Sequence, residues 1–136
     1  MENKLRVVVA DEQSDVRYAL RVLLQLAREL NAEVVGETAE AELLVAQLET
    51  LNPDLLLLDW KLPGLRSVAH LRSLYPQARL IVLSVREEVR QSALDAGADA
   101  FVCKGDPVES LVTAIRQVRS IQRGPLSTQN PTPPSW

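Results

Sequence analysis

The stretch "LLLLDWKLPG", Leu55 to Gly64, drives four leucines toward a single aspartate and then turns on Pro63 and Gly64. A short, unbroken apolar run closed by turn residues is the pattern of a strand covered on both faces, as in a parallel sheet. Four more runs share that character: "LRVVVA" (Leu5 to Ala10), "EVVGE" (Glu33 to Glu37), "RLIVLS" (Arg79 to Ser84) and "AFVCK" (Ala100 to Lys104).

Segments of helical period separate these strands. In the first, Val16, Ala19, Leu20, Leu23, Leu24, Ala27 and Leu30 recur at three and four residues and form one apolar stripe. The second, over about residues 39–51, is capped by Thr38 and buries Leu43, Leu44, Leu48 and Leu51. The third spans about 67–74, and the fourth, about 87–96, has the thinnest stripe. The last has the clearest start signal, with Asp106 as N-cap, Pro107 at the first helical position and Glu109 completing a capping box. Val108, Leu111, Val112, Ile115 and Val118 form its buried face. Strands alternating with helices predict βαβ units and a doubly wound α/β sheet, whose working groups sit at the carboxyl ends of the strands.

The 136 residues suit one domain. Fifteen basic against eighteen acidic residues give a net charge of -3, which argues against direct nucleic-acid binding by this chain alone. One cysteine makes no internal disulfide, and the polar start "MENKLR" is unlike a secretory leader, so a reducing, cytoplasmic location is expected. No apolar run approaches the roughly 20 residues needed to cross a bilayer, so no membrane association is expected. After about Arg123 the Pro-rich "GPLSTQNPTPPSW" loses all apolar period, which divides the chain into a domain at 4–122 and a flexible tail or start of a linker at 123–136.

The strand ends carry Asp11 and Glu12, Asp59, Ser84 and Lys104. Three carboxylates on one rim repel one another unless a cation neutralises them. A hard divalent ion fits such oxygen ligands, Mg²⁺ first with Mn²⁺ as a substitute. Asp59 can then act as a nucleophile toward a phosphoryl group, with Lys104, the Ser84 hydroxyl and backbone N–H groups meeting the equatorial oxygens.

At this point the chain resembles the receiver domain of two-component response regulators over about residues 4–122. The segment "VVADEQSDVR" matches the family's acidic pair, "LLLLDWKLPG" its phosphoacceptor segment, "IVLS" its hydroxyl, and "GADAFVCK" its aromatic and lysine. The resemblance implies a five-stranded parallel sheet of flavodoxin-like order 2-1-3-4-5 with five helices. It implies Asp59 as phosphoacceptor, a metal held by Glu12 directly, by Asp11 mainly through water, by Asp59 and by the Lys61 carbonyl, and Lys104 as an ion pair that re-forms around the phosphate. Ser84 and Phe101 would be the switch pair, acting on a surface made of the fourth helix, fifth strand and fifth helix, through which a homodimer could also form. The implied partner is a histidine kinase or phosphotransfer protein, and the implied catalysis is confined to the chain's own phosphorylation and dephosphorylation.

Some positions depart from the family pattern. Glu12 stands where aspartate is more usual, Val85 follows the hydroxyl where a very small residue is usual, and Gly105 stands where many members have proline. The segment "GADAFVCKGDPVESLVTAIRQV" looks most like the subset that carries helix-turn-helix output domains. Lys61, Val85 and Arg86 flank the site and are expected to limit access of water to it. Alternative readings are a phosphorylation-independent pseudo-receiver that serves as an interaction module, and the isolated regulatory half of a DNA-binding transcriptional regulator. A metal-dependent phosphatase is remote, because position 61 is lysine rather than a second acid. Cys103 is expected to be a small buried hydrophobe, His70 a surface residue, and Trp60 either packs over its strand end or faces a partner.

Overall fold

The run from Leu55 to Asp59 forms the middle strand of the sheet, and Leu55, Leu57 and Leu58 have no exposure at all. In the computed structural model, which describes residues 3–121, this strand is β3 (Leu55–Asp59). It lies between β1 (Leu5–Ala10) and β4 (Arg79–Ser84). Outside them lie β2 (Ala32–Thr38) and β5 (Ala100–Cys103), so the parallel order is β2-β1-β3-β4-β5, as the resemblance implies. The proposed tail at 123–136 lies outside the described residues.

Alternate residues of each strand feed two cores. Val7, Val9, Leu57, Ile81 and Val102 pack against α1 (Ser14–Leu26) and α5 (Val108–Arg119). Val8, Leu56, Leu58, Val82 and Phe101 pack on the other face against α2 (Ala41–Leu51), α3 (Val68–Leu74) and α4 (Arg90–Asp95). A bulge between Val7 and Val8 offsets the β1–β2 register. It leads into Gly36, where a Cβ would lie 2.8 Å from Gln47 and Leu51, so the close approach of α2 explains the glycine.

Several helix details differ from the sequence reading. Thr38 ends β2 instead of capping α2: its hydroxyl donates to the Glu40 carbonyl and accepts from the Glu40 N–H, and α2 begins only at Ala41. Leu43 consequently points outward and is 53% exposed, while Leu44 and Leu48 are buried. The fourth helical segment divides into a 3₁₀ turn (Glu87–Val89) and the six-residue α4, in which only Ala93 is buried. The first helix similarly stops at Leu26, and Leu30 is buried from a 3₁₀ turn (Arg28–Leu30).

The start of α5 is also corrected. Pro107 has an extended ψ of 153° and is itself the N-cap, with no side-chain capping bond. Asp106 instead closes a turn, its N–H donating to the Cys103 carbonyl. Val108 is thereby left on the outside of the first turn, more than half exposed, whereas Leu111, Val112, Ile115 and Val118 are buried as expected.

Candidate functional site

The carboxyl ends of β1, β3 and β5 bring three charged groups together. The Lys104 ammonium lies 2.7 Å from Asp11 Oδ2 and 3.3 Å from Asp59 Oδ1, so one cation bridges two carboxylates. Each strand ends where the apolar run that fixes it stops. Ala10, beside Leu58, is followed by Asp11, and Cys103, beside Ser84, is followed by Lys104.

Asp11 is almost fully buried. Its two oxygens are both engaged, Oδ1 by the Gln13 N–H at 2.9 Å and Oδ2 by Lys104. Asp59 is more open: Oδ1 accepts from Lys104 and, at 3.4 Å, from the Lys61 N–H, while Oδ2 accepts no hydrogen bond from the described residues. That second oxygen is therefore available for chemistry. Burial works against the Lys104 charge, but the hydrogen bond and charge of Asp11, followed by those of Asp59, outweigh it and hold the ammonium above the ordinary lysine value.

Ser84 is buried at the end of β4, where its hydroxyl oxygen accepts from the Arg86 N–H at 3.0 Å. Its own carbonyl accepts from the Lys104 N–H, which ties the two strand ends together. Glu12, Lys61, Val85 and Arg86 are exposed around this centre. Val85 is 73% exposed, Arg86 pairs with Glu88 at 3.0 Å, and Glu12 forms no ion pair among the described residues. The structure thus joins Asp11, Asp59 and Lys104 by direct contact and leaves Glu12 at the rim.

The donor set bears on a metal in two ways. Among the described residues, no three His, Cys, Asp or Glu side chains form a ready cage. Mg²⁺ does not need one, since it usually keeps several waters and takes one or two carboxylates. Asp11 and Asp59, two carboxylates converging on one ammonium, with the second Asp59 oxygen accepting no hydrogen bond from the described residues, fit the small oxygen-donor set of such an ion.

Phe101 lies beneath the neighbouring face and is 5% exposed. The Arg90 guanidinium sits 4.8 Å from the ring centroid and donates to the Phe101 carbonyl at 3.3 Å, covering the ring from α4. No feature of the sequence reading singled out Arg90; its spacing of eleven residues from Phe101 carries no local signal. Trp60 is half-buried and packs against the α2–α4 side of the core, Cys103 is half-buried, and His70 is exposed. No described helix is long and apolar enough to cross a membrane.

A five-stranded parallel order with two carboxylates and a lysine in contact at the strand ends defines a doubly wound α/β protein with a charged centre on its carboxyl rim. Residues 7–116 match the response regulator receiver domain, and the chain belongs to that family. Relatives include the nitrate/nitrite response regulator protein NarL of Escherichia coli K12, 32% identical over 82% of this chain and 53% of its own length. The response regulator GacA of Pseudomonas aeruginosa is also 32% identical, over 88% of this chain and 57% of its own. A two-component response regulator of the LuxR family from Aurantimonas has a similar structure, with a TM-score of 0.78, 26% identity and 89% coverage of each chain. The isolated REC domain of RcsB from Salmonella enterica, solved with the phosphomimetic BeF3-, shares the fold at a TM-score of 0.79 and 22% identity, covering 90% of this chain and 93% of that one. The chain spans at most a little over half the length of the curated relatives it matches.

Proposed function

We propose that the chain is a phosphoacceptor receiver in two-component signalling, taking a phosphoryl group onto Asp59 from a histidine kinase or phosphotransfer protein. The observation that carries this reading is the Lys104 ammonium bridging Asp11 and Asp59, with the second Asp59 oxygen open. In the transfer, an Asp59 oxygen forms a bond to phosphorus as the donor's N–P bond breaks, and the electron pair leaves with the donor imidazole. Lys104 then exchanges part of its contact with the Asp59 carboxylate for an equatorial phosphoryl oxygen, and the Ser84 hydroxyl, released from the Arg86 N–H, meets another.

A divalent ion, Mg²⁺ or Mn²⁺, would be held by Asp11, Glu12, Asp59 and the Lys61 carbonyl. It would supply positive charge to offset the crowding of carboxylates and phosphate. Glu12 stands exposed at the rim, and its extra methylene would let the carboxylate reach inward to the ion. Lys61, Val85 and Arg86 form the doorway and slow hydrolysis by occupying the approach of water. A phosphorylated form that decays within seconds without a partner contradicts this role.

The signal leaves through Ser84, Phe101 and the face made by α4, β5 and α5, and this face is where a homodimer would form. Relatives named as transcriptional or nitrate/nitrite regulators, of which this chain matches about half, support an output in transcription through a separate DNA-binding part. A phosphorylation-independent pseudo-receiver is the second reading, favoured by the position of Glu12 outside the ion-paired centre. Beryllofluoride with Mg²⁺ distinguishes them. The receiver reading expects a saturable change in Trp60 fluorescence that requires Mg²⁺ and is lost in Asp59→Asn, whereas no Mg²⁺-dependent change in the unsubstituted chain favours the pseudo-receiver.

A further inference from the structure

Arg17 is the fourth residue of α1, about one turn into the helix that follows the acidic loop, and its guanidinium faces that loop. Nη1 donates to the Asp11 carbonyl at 2.6 Å and to the Glu12 carbonyl at 3.1 Å. Nε lies 3.6 Å from Glu37 Oε1 on β2, and the side chain is only 20% exposed. Two successive carbonyls converging on one nitrogen fix the peptide planes on both sides of Glu12. Those planes set the direction in which the Glu12 Cα–Cβ bond leaves the backbone.

From this geometry we infer that Arg17 is a positioning residue that sets the affinity of the Asp11–Glu12 pair for a divalent cation. The inference rests on the receiver reading above and adds a residue that touches neither metal nor phosphate. Glu12 needs such a support more than an aspartate would. Its carboxylate stands on one more rotatable bond, is exposed, and makes no ion pair among the described residues, so its backbone is the part that can be held. The Gln13 N–H fixes the neighbouring Asp11 side chain through Oδ1, while Arg17 fixes the carbonyls behind it. Glu37 completes the device: it anchors the guanidinium to β2 and, shared with Arg21, offsets part of its charge.

Two physical effects of removing Arg17 have opposite signs. As a bare positive charge near the site, Arg17 repels a divalent ion, so its loss would tighten binding. As the clamp on the loop, its loss loosens the ligands and weakens binding, and outer-shell partners of metal ligands are typically worth about 10–100-fold in affinity. Glu37, shared with Arg21, offsets part of that charge, while Arg17 holds the two carbonyls by direct hydrogen bonds, so the positioning effect is expected to dominate.

The test is a Mg²⁺ titration at constant ionic strength, read by Trp60 fluorescence in a Trp136→Phe background so that one indole remains, with metal-free thermal unfolding measured in parallel. Arg17→Ala is expected to weaken Mg²⁺ binding by about tenfold and Arg17→Lys by about threefold, the lysine reaching one carbonyl but not forking between two. Arg21→Ala, which removes the other cation paired with Glu37 without touching the loop, is expected to stay within about twofold of the parent. A folded Arg17→Ala chain that binds within about twofold of the parent, or more tightly, overturns the inference; if that variant does not fold, Arg17→Lys is judged by the same limits. A parent that responds to neither Mg²⁺ nor beryllofluoride overturns the receiver reading itself, and this inference falls with it.

Discussion

At the scale of single residues, Lys104 does two jobs that the strand ends impose on it. It bridges a buried Asp11 and a nearly buried Asp59 and so offsets their mutual repulsion, and in the proposed transfer it would meet an oxygen of the incoming phosphoryl group. Lys104→Gln should lower stability at neutral pH by on the order of 2–3 kcal/mol, because it leaves Asp11 buried without its charged partner. Added Mg²⁺ should recover part of that loss in chemical denaturation, since in the proposed site it would meet the same carboxylates. The folded-state pKa of Lys104 is raised, so its contribution is fully present below the unfolded lysine value near 10.4 and is lost as pH rises through the higher folded value. The stability gap between the unsubstituted chain and Lys104→Gln should therefore be constant between about pH 7 and 9 and close only in more alkaline solution.

At the scale of elements, strands were legible and helix ends were not. The bounds of β1, β3 and β4 coincide with the runs read from the sequence, because their central residues are buried on both faces and polar residues are confined to positions near the strand ends. Helix starts depend on which of several nearby polar groups the backbone selects, and that choice is made by the loop's other contacts. Asp106 carries every sign of an N-cap, yet its N–H closes the turn at Cys103 and the helix begins two residues later. Ser67 does cap its helix, accepting from the His70 N–H at 2.9 Å. Ser67→Ala should accordingly cost about 1 kcal/mol in chemical denaturation. Asp106→Ala should stay within about 0.5 kcal/mol. Equal losses from the two would mean that Asp106 caps in solution.

The centre of the site was legible for a related reason. Asp11, Asp59 and Lys104 follow directly from where apolar strands end, and the structure joins them. Contacts that cross from one element to another left no local trace. Arg90 over Phe101 depends on how α4 is seated beside β5, and Arg17, only five and six residues from the carbonyls it holds, depends on the turn that the acidic loop takes before α1, which side-chain patterning does not reveal.

At the scale of the whole molecule, two cores clamp one sheet, so the strand ends that carry Asp11, Asp59, Ser84 and Lys104 are held by packing from both sides. The more loosely held parts lie around that rim: the six-residue α4, the 3₁₀ turn before it and the exposed doorway residues. A rigid centre beside a lightly packed segment suits a device in which a phosphoryl group shifts the balance between existing arrangements rather than building a new one. Everything in that account depends on where the phosphoryl group goes. The most direct measurement is to incubate the chain with Mg²⁺ and a small acyl phosphate, reduce the product with borohydride and map the modified residue by peptide mass spectrometry. The account predicts Mg²⁺-dependent modification at Asp59 alone, absent in Asp59→Asn; no modification, or modification at Asp11 or Glu12 with Asp59 untouched, contradicts it.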